Sequence, residues 1–174
     1  MRLPSRPDGV GPLVDPVLVA AFEGWNDAGD AASGALEHLE EVWEARAVVE
    51  VDPDDYYDFQ VNRPTVRLVD GATRQITWPT TRFSVCRPPG AERDVVLVRG
   101  LEPNMRWRGF CDELLEVTSA LGVTLVVTLG ALLADSPHTR PVPVSGTAAQ
   151  NDSAEKPAVT QASWKTPTMP AGPS

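Results

Sequence analysis

Three aliphatic runs constrain this chain more than anything else in it: Pro16-Val-Leu-Val-Ala-Ala-Phe22, Asp94-Val-Val-Leu-Val-Arg99 and Val123-Thr-Leu-Val-Val-Thr-Leu129. Each is nearly continuous rather than alternating, the pattern of a strand buried on both faces of a sheet. Such a sheet needs a helix on each side, and the intervening sequence supplies two. From Asp27 to Glu44, Ala28, Ala32, Ala35, Leu36, Leu39, Val42 and Trp43 share one face, while Glu37, Glu40, Glu41 and Glu44 take the other. Asp27 suits the N-cap, and its carboxylate and that of Asp30 suit the positive end of the helix dipole. Ala45 to Val51 reads as a second strand, and a strand-helix-strand order predicts parallel pairing with a right-handed crossover. The second helix runs from Met105 to Leu121, with Trp107, Phe110, Cys111, Leu114, Leu115 and Leu121 as its apolar face, Asn104 as N-cap and Gly122 as its stop.

Between these units lies an acidic, aromatic loop over residues 52–64. A hairpin follows: Thr65 to Val69, the turn Asp70-Gly71, and Thr73 to Trp78. Arg82 to Arg87 adds a short strand. The sequence contains no internal repeat. The prediction is an α/β fold with a mostly parallel sheet and an inserted β-hairpin. Residues 1–15 are expected to be irregular, 16–148 to form the domain, and 149–174 to be a disordered, proline-rich tail.

Charge narrows the function. Asp and Glu number 24 against 15 Lys and Arg, a net charge of −9 over 174 residues. That argues against nucleic acid or an anionic membrane as partner, since both need a basic surface. No apolar run approaches the ~20 residues that span a bilayer, and the N-terminus lacks the apolar core of a signal peptide. A cytoplasmic location is expected. Cys86 and Cys111 stand alone without a CxxC partner and read as buried, unpaired thiols rather than a disulfide framework. Every arginine lies between Arg2 and Arg140, whereas both lysines, Lys156 and Lys165, lie in the final stretch. That switch reads either as a frameshift or premature end, or as an ordinary flexible terminus.

In an open parallel sheet, ligands bind beyond the carboxyl ends of the strands. Three post-strand loops converge there: Glu23 to Gly29, Gly100 to Asn104 and Gly130 to Arg140. Gly24 to Gly29 has the glycine spacing of a P-loop but continues Asp30-Ala31, and no lysine precedes residue 156. The same absence disfavours Schiff-base chemistry. There is no GxSxG elbow, GxGxxG fingerprint or zinc spacing, so no catalytic residue, metal or cofactor is predicted. His138, near Asp135, Ser136 and Arg140, would suit a general base or a merely structural loop histidine. His38 reads as structural or solvated. Glu50, Asp52, Asp54, Asp55 and Asp58 read as a solvated acidic loop rather than a cation site. Tyr56, Tyr57 and Phe59 would either anchor a partner subunit or pack on their own domain. Arg63, Arg106, Arg108 and Arg140 would pair with these acids or clamp a carboxylate ligand.

Four stretches carry a family resemblance: Gly24-Trp-Asn-Asp-Ala-Gly29, Asp58-Phe-Gln-Val-Asn-Arg-Pro64, Gly100-Leu-Glu-Pro-Asn104 with Arg106-Trp107, and Leu129-Gly-Ala-Leu-Leu-Ala-Asp-Ser-Pro-His-Thr-Arg-Pro141. Together they resemble the PAC2 family, named for proteasome assembly chaperone 2, in its actinobacterial form. The resemblance implies a three-layer α/β/α domain similar to the purine nucleoside phosphorylase fold, and homo-oligomers. It implies protein subunits as partners, proteasome-related ones among them, rather than nucleic acid or membrane. Gly24, Trp25, Asn26, Asp27, Gln60, Arg63, Glu102, Asn104, Arg106, His138 and Arg140 are the ligand or interaction candidates. Family members continue beyond the Thr-Arg-Pro loop with further strands and helices, and here the resemblance stops after Thr147. A C-terminally truncated or frameshifted domain is therefore expected, with an apolar sheet edge left open. Two readings follow: an oligomeric interaction or assembly-chaperone-like module, or a small-molecule binder or enzyme of phosphorylase-like fold.

Overall fold

A computed structural model describes residues 7, 9–135, 137, 139–146 and 148. The expected tail, His138 and Ser136 lie outside the described residues. Two compact units divide the chain after Leu133. The first holds every helix and strand among the described residues; in the second, the Arg140 N–H donates to the Pro137 carbonyl at 3.0 Å.

The first unit is built on a five-stranded sheet. Its strands are β1 (Val17–Glu23), β2 (Arg46–Glu50), β5 (Arg82–Cys86), β6 (Val95–Leu101) and β7 (Leu125–Thr128), in the order β2-β5-β6-β1-β7. Strands β6, β1 and β7 are parallel neighbours, and β5 runs antiparallel between β2 and β6. Four of the five strands therefore point the same way, giving the mainly parallel sheet that the sequence predicts. The predicted pairing of the first two strands does not form: β5 and β6 lie between β1 and β2. The reason is the short link between β5 and β6, which suits antiparallel neighbours and inserts both beside β1. Strands β3 (Thr65–Val69) and β4 (Thr73–Thr77) form a separate antiparallel hairpin, with Asp70 and Gly71 both at positive φ in its turn.

One helix covers each face of the sheet. On β1 and β6 the side chains alternate, as the pleat requires. Leu18, Ala20, Val96 and Val98 point to one side, where they join Phe83, Phe110 and Leu121. Ala21 and Leu97 point to the other, against Ala32 and Leu36. The first cluster packs under α2 (Trp107–Ala120) and the second under α1 (Ala31–Val42). Tyr56 and Tyr57 complete the α2-side core, so these two rings of the acidic loop pack on their own domain. Phe59 meets Trp78 edge-on, ring centroids 4.9 Å apart.

Three expectations are corrected. The strand around Val123 to Leu129 is not buried: all four residues of β7 are exposed, because β7 has β1 on one side and no described strand on the other. Half of the expected α2 face is exposed as well; Trp107, Cys111 and Leu115 stand in solvent while Phe110 and Leu121 are buried. The cysteines are not both buried: Cys111 is exposed, and Cys86 is half-buried, where desolvation raises its thiol pKa to about 11. Gly122, at φ 73, ends the second helix as predicted.

Candidate functional site

The loops after β1, β6 and β7 meet at the carboxyl edge of the sheet and are stitched together by backbone hydrogen bonds. The Ala28 N–H donates to the Ala131 carbonyl and the Ala131 N–H to the Asn26 carbonyl, both at 2.9 Å, joining the first loop to the last. The Glu102 N–H donates to the Glu23 carbonyl at 3.0 Å, joining the first to the second. Gly24 sits at that junction. A Cβ on Gly24 would lie 2.7 Å from the Glu102 carboxylate, and its φ of 150° is one that L-residues rarely adopt.

Asp27 is buried, and its carboxylate is used up in anchoring α1. The Ala32 N–H donates to Oδ1 at 2.7 Å, and the Ser33 hydroxyl donates to Oδ2 at 2.5 Å, with the Ser33 N–H at 3.3 Å. Burial alone would raise its pKa, but the bonds from Ser33 and Ala32 outweigh it and hold the carboxyl below its usual range. Asp27 thus satisfies the Ala32 and Ser33 amides across a 3-10 turn at Ala28–Asp30, and the helix, starting at Ala31, has Asp30 in its N-cap position where the sequence suggests Asp27.

Asn104 does not cap α2, whose first residue follows Arg106 at φ 53°. Its amide oxygen accepts instead from the Asp58 N–H and from Asn62 Nδ2, each at 2.8 Å, tying the acidic loop to the sheet edge. Arg106 pairs with Asp55 and lies 5.7 Å from the centre of the Tyr56 ring. The Tyr56 hydroxyl donates to Glu113 at 2.6 Å; that bond, with burial, pushes its pKa up to about 12. Two further acids of the loop have local partners, Asp52 and Asp58 accepting from the Asp54 and Gln60 amides, and Glu50 just before it pairs with Arg82 at 2.8 Å. Gln60 and Arg63 are exposed on the same loop.

Apolar side chains stand out on this rigid edge. Trp25 is 92% exposed and Leu133 93%, on two loops joined by the Asn26–Ala131 bond, and Leu132 beside Leu133 is exposed as well. Met105, on the loop after β6, and Trp107, the first residue of α2, add exposed surface. Arg140 belongs to the second unit and is exposed there.

Beside this edge, Glu23, Arg63, Trp78, Thr80, Arg82 and Arg99 line a cleft of about 540 Å³. Of the residues singled out in the sequence, Arg63 lines it; Asp27 and Asn104 do not. Sequence reasoning missed the other five. Arg99 carried a signal, a charge closing the otherwise aliphatic run Asp94 to Val98. Arg82 and Trp78 carried none, because only the sheet order brings them to β1. Burial is the main influence on Glu23, raising its pKa against the opposing pull of Arg99.

The profile of the PAC2 family matches residues 21–174, which corrects the expectation that the resemblance stops after Thr147. A crystal structure of a PAC2 family protein from Streptomyces avermitilis is 56% identical, with a TM-score of 0.72; the similarity covers 82% of this chain and 66% of that one. A Mycobacterium tuberculosis proteasome-assembly chaperone homologue is 60% identical, with a TM-score of 0.73, covering 87% of this chain and 64% of that one. A Corynebacterium glutamicum protein of unknown function shares 25% identity and a TM-score of 0.70, over 82% of this chain and 54% of its own. Among curated proteins none matches. The chain spans slightly under two thirds of the length of the Streptomyces and Mycobacterium relatives.

Proposed function

This chain belongs to the PAC2 family, and from that premise we propose that it is an assembly-chaperone-like interaction module which binds protein subunits, proteasome-related ones first, and self-associates. One observation carries the reading: the 60% identity to a protein described as a proteasome-assembly chaperone homologue. The exposed Trp25, Leu132 and Leu133 support it, since large apolar side chains gathered on adjoining loops are what a protein interface uses as anchors. The net charge of −9 supports it too, disfavouring nucleic acid and anionic membranes. No helix among the described residues is long and apolar enough to cross a membrane.

Co-expression with actinobacterial proteasome α- and β-subunits tests the proposal. The chain should co-purify with unassembled subunits and leave the finished particle. Trp25→Ala with Leu133→Ser should weaken that association by about tenfold or more, the loss of one good anchor. Subunit assembly and co-purification unchanged by the double variant, or no association at all, would overturn it. Sedimentation of the purified chain decides the self-association separately.

A further inference from the structure

The cleft beside Glu23 sits where the topology of the sheet reverses. From β1 the chain crosses through α1 over one face of the sheet to β2, and from β6 it crosses through α2 over the other face to β7. β1 and β6 are adjacent, so their connections leave the seam toward opposite faces, and Glu23 and Leu101, paired across that seam, both line the cleft. In α/β sheets this switch point is the general ligand crevice. A volume of about 540 Å³ is in the range of small-molecule sites.

Three arginines, Arg63, Arg82 and Arg99, and one carboxylate, Glu23, line the cleft in a chain whose net charge is −9. Two of the three are committed to carboxylates in and around the cleft. Arg82 bonds Glu50 at 2.8 Å, and Arg99 bonds Glu40 at 3.0 Å with Glu23 and Glu37 at 3.9 Å. Arg63 makes no ion pair with the described residues and is exposed, leaving its planar fork uncommitted. The indole of Trp78 forms part of the wall and is braced by Phe59. Gly100 lines the cleft without a side chain for a reason of packing: a Cβ there would fall 2.2 Å from Thr81 Oγ1.

We propose that this cleft binds a small organic anion, a phosphate or carboxylate carried on a flat ring, with Arg63 clamping the acid group and Trp78 packing against the ring. Arginine recognises either acid through paired N–H donors, and an indole face accepts a ring of any identity. The site is separate from the Trp25–Leu133 edge, so its failure would leave the subunit-binding proposal standing, and the converse holds.

Calorimetric titration of the full chain with 1-naphthyl phosphate, 1-naphthoate and inorganic phosphate tests it. At least one ring-bearing acid should bind saturably, and whichever binds tighter identifies the acid group. Arg63→Ala should weaken that binding by about tenfold, the equivalent of roughly 1.4 kcal/mol. Trp78→Ala should weaken the ring-bearing probe but not inorganic phosphate. Arg93→Ala, whose guanidinium pairs with Asp15 instead, is the charge-matched control and should titrate as the parent. If neither ring-bearing acid saturates, or if Arg63→Ala titrates like Arg93→Ala, the proposal falls. The second result would assign the probe to the apolar groove of about 270 Å³ between α2 and the sheet, lined by Leu18, Leu114 and Val126.

Discussion

Val95-Val-Leu-Val and Leu125-Val-Val-Thr are built from the same kind of aliphatic residues, yet β6 is the most buried strand of the sheet and β7 the most exposed. Strand β6 lies between β5 and β1 with side chains packed toward a helix layer on each face. Strand β7 pairs with β1 alone, and Val126 is 51% exposed. Aliphatic content therefore measures a strand's capacity for burial, while its place in the sheet decides how much of that capacity is used. The same contrast divides α2: Phe110 reaches the core that Leu18 and Val98 line, and Leu115 overlooks the open groove at 64% exposure.

Truncations along these elements sharpen the contrast, the largest effect first. Leu97→Ala removes a side chain with no exposed surface and should cost about 3–5 kcal/mol in urea unfolding. Asp27→Ala should cost about 1–3 kcal/mol, because the Ala32 and Ser33 donors lose their acceptor inside the protein. The pH dependence of Asp27 follows from its lowered pKa. Its contribution is fully present above the unfolded value of about 4 and is lost as pH falls through the lower folded value, so Asp27→Asn should flatten the acid limb of the stability curve. Leu114→Ala, at a half-buried position on the groove, should cost about 1–2 kcal/mol, less than a fully buried leucine. Val126→Thr should change stability by no more than about 0.5 kcal/mol. A loss at Val126 matching that at Leu97 would mean that β7 is covered in solution and would break the comparison; self-association of the chain at the same concentration would then identify the cover as a second copy.

Much of the fold was legible from the order of runs. The aliphatic strands, the two amphipathic helices and the Asp70-Gly71 hairpin are local patterns, each set by the period at which apolar side chains recur or by a turn's need for positive φ. The candidate site was legible only as loops. That Gly24 adopts a φ of 150° at the end of the β1–β6 seam is set by the junction there and not by its neighbours in the chain. Asp27 was readable as an acid at the start of a helix but not as one that reaches past the 3-10 turn to Ala32 and Ser33, which leaves Asp30 in the N-cap position. Asn104 was not readable as the tie to Asp58 and Asn62, because an asparagine before a helix looks the same whether its amide turns toward the helix or toward a loop 42 to 46 residues earlier.

The sequence by itself determined which segments become strand or helix and that helices must cover both sheet faces, because those properties depend on neighbours a few residues apart. It also determined the acidic balance and the four motifs that mark the family. Only the tertiary structure decided that β5 and β6 enter between β1 and β2, that β7 stands at an edge, and that Arg63, Trp78, Arg82 and Arg99 share one cleft with Glu23. Strand order is a choice among long-range pairings of similar local sequence, and it is settled by which arrangement buries the most apolar surface on both faces at once.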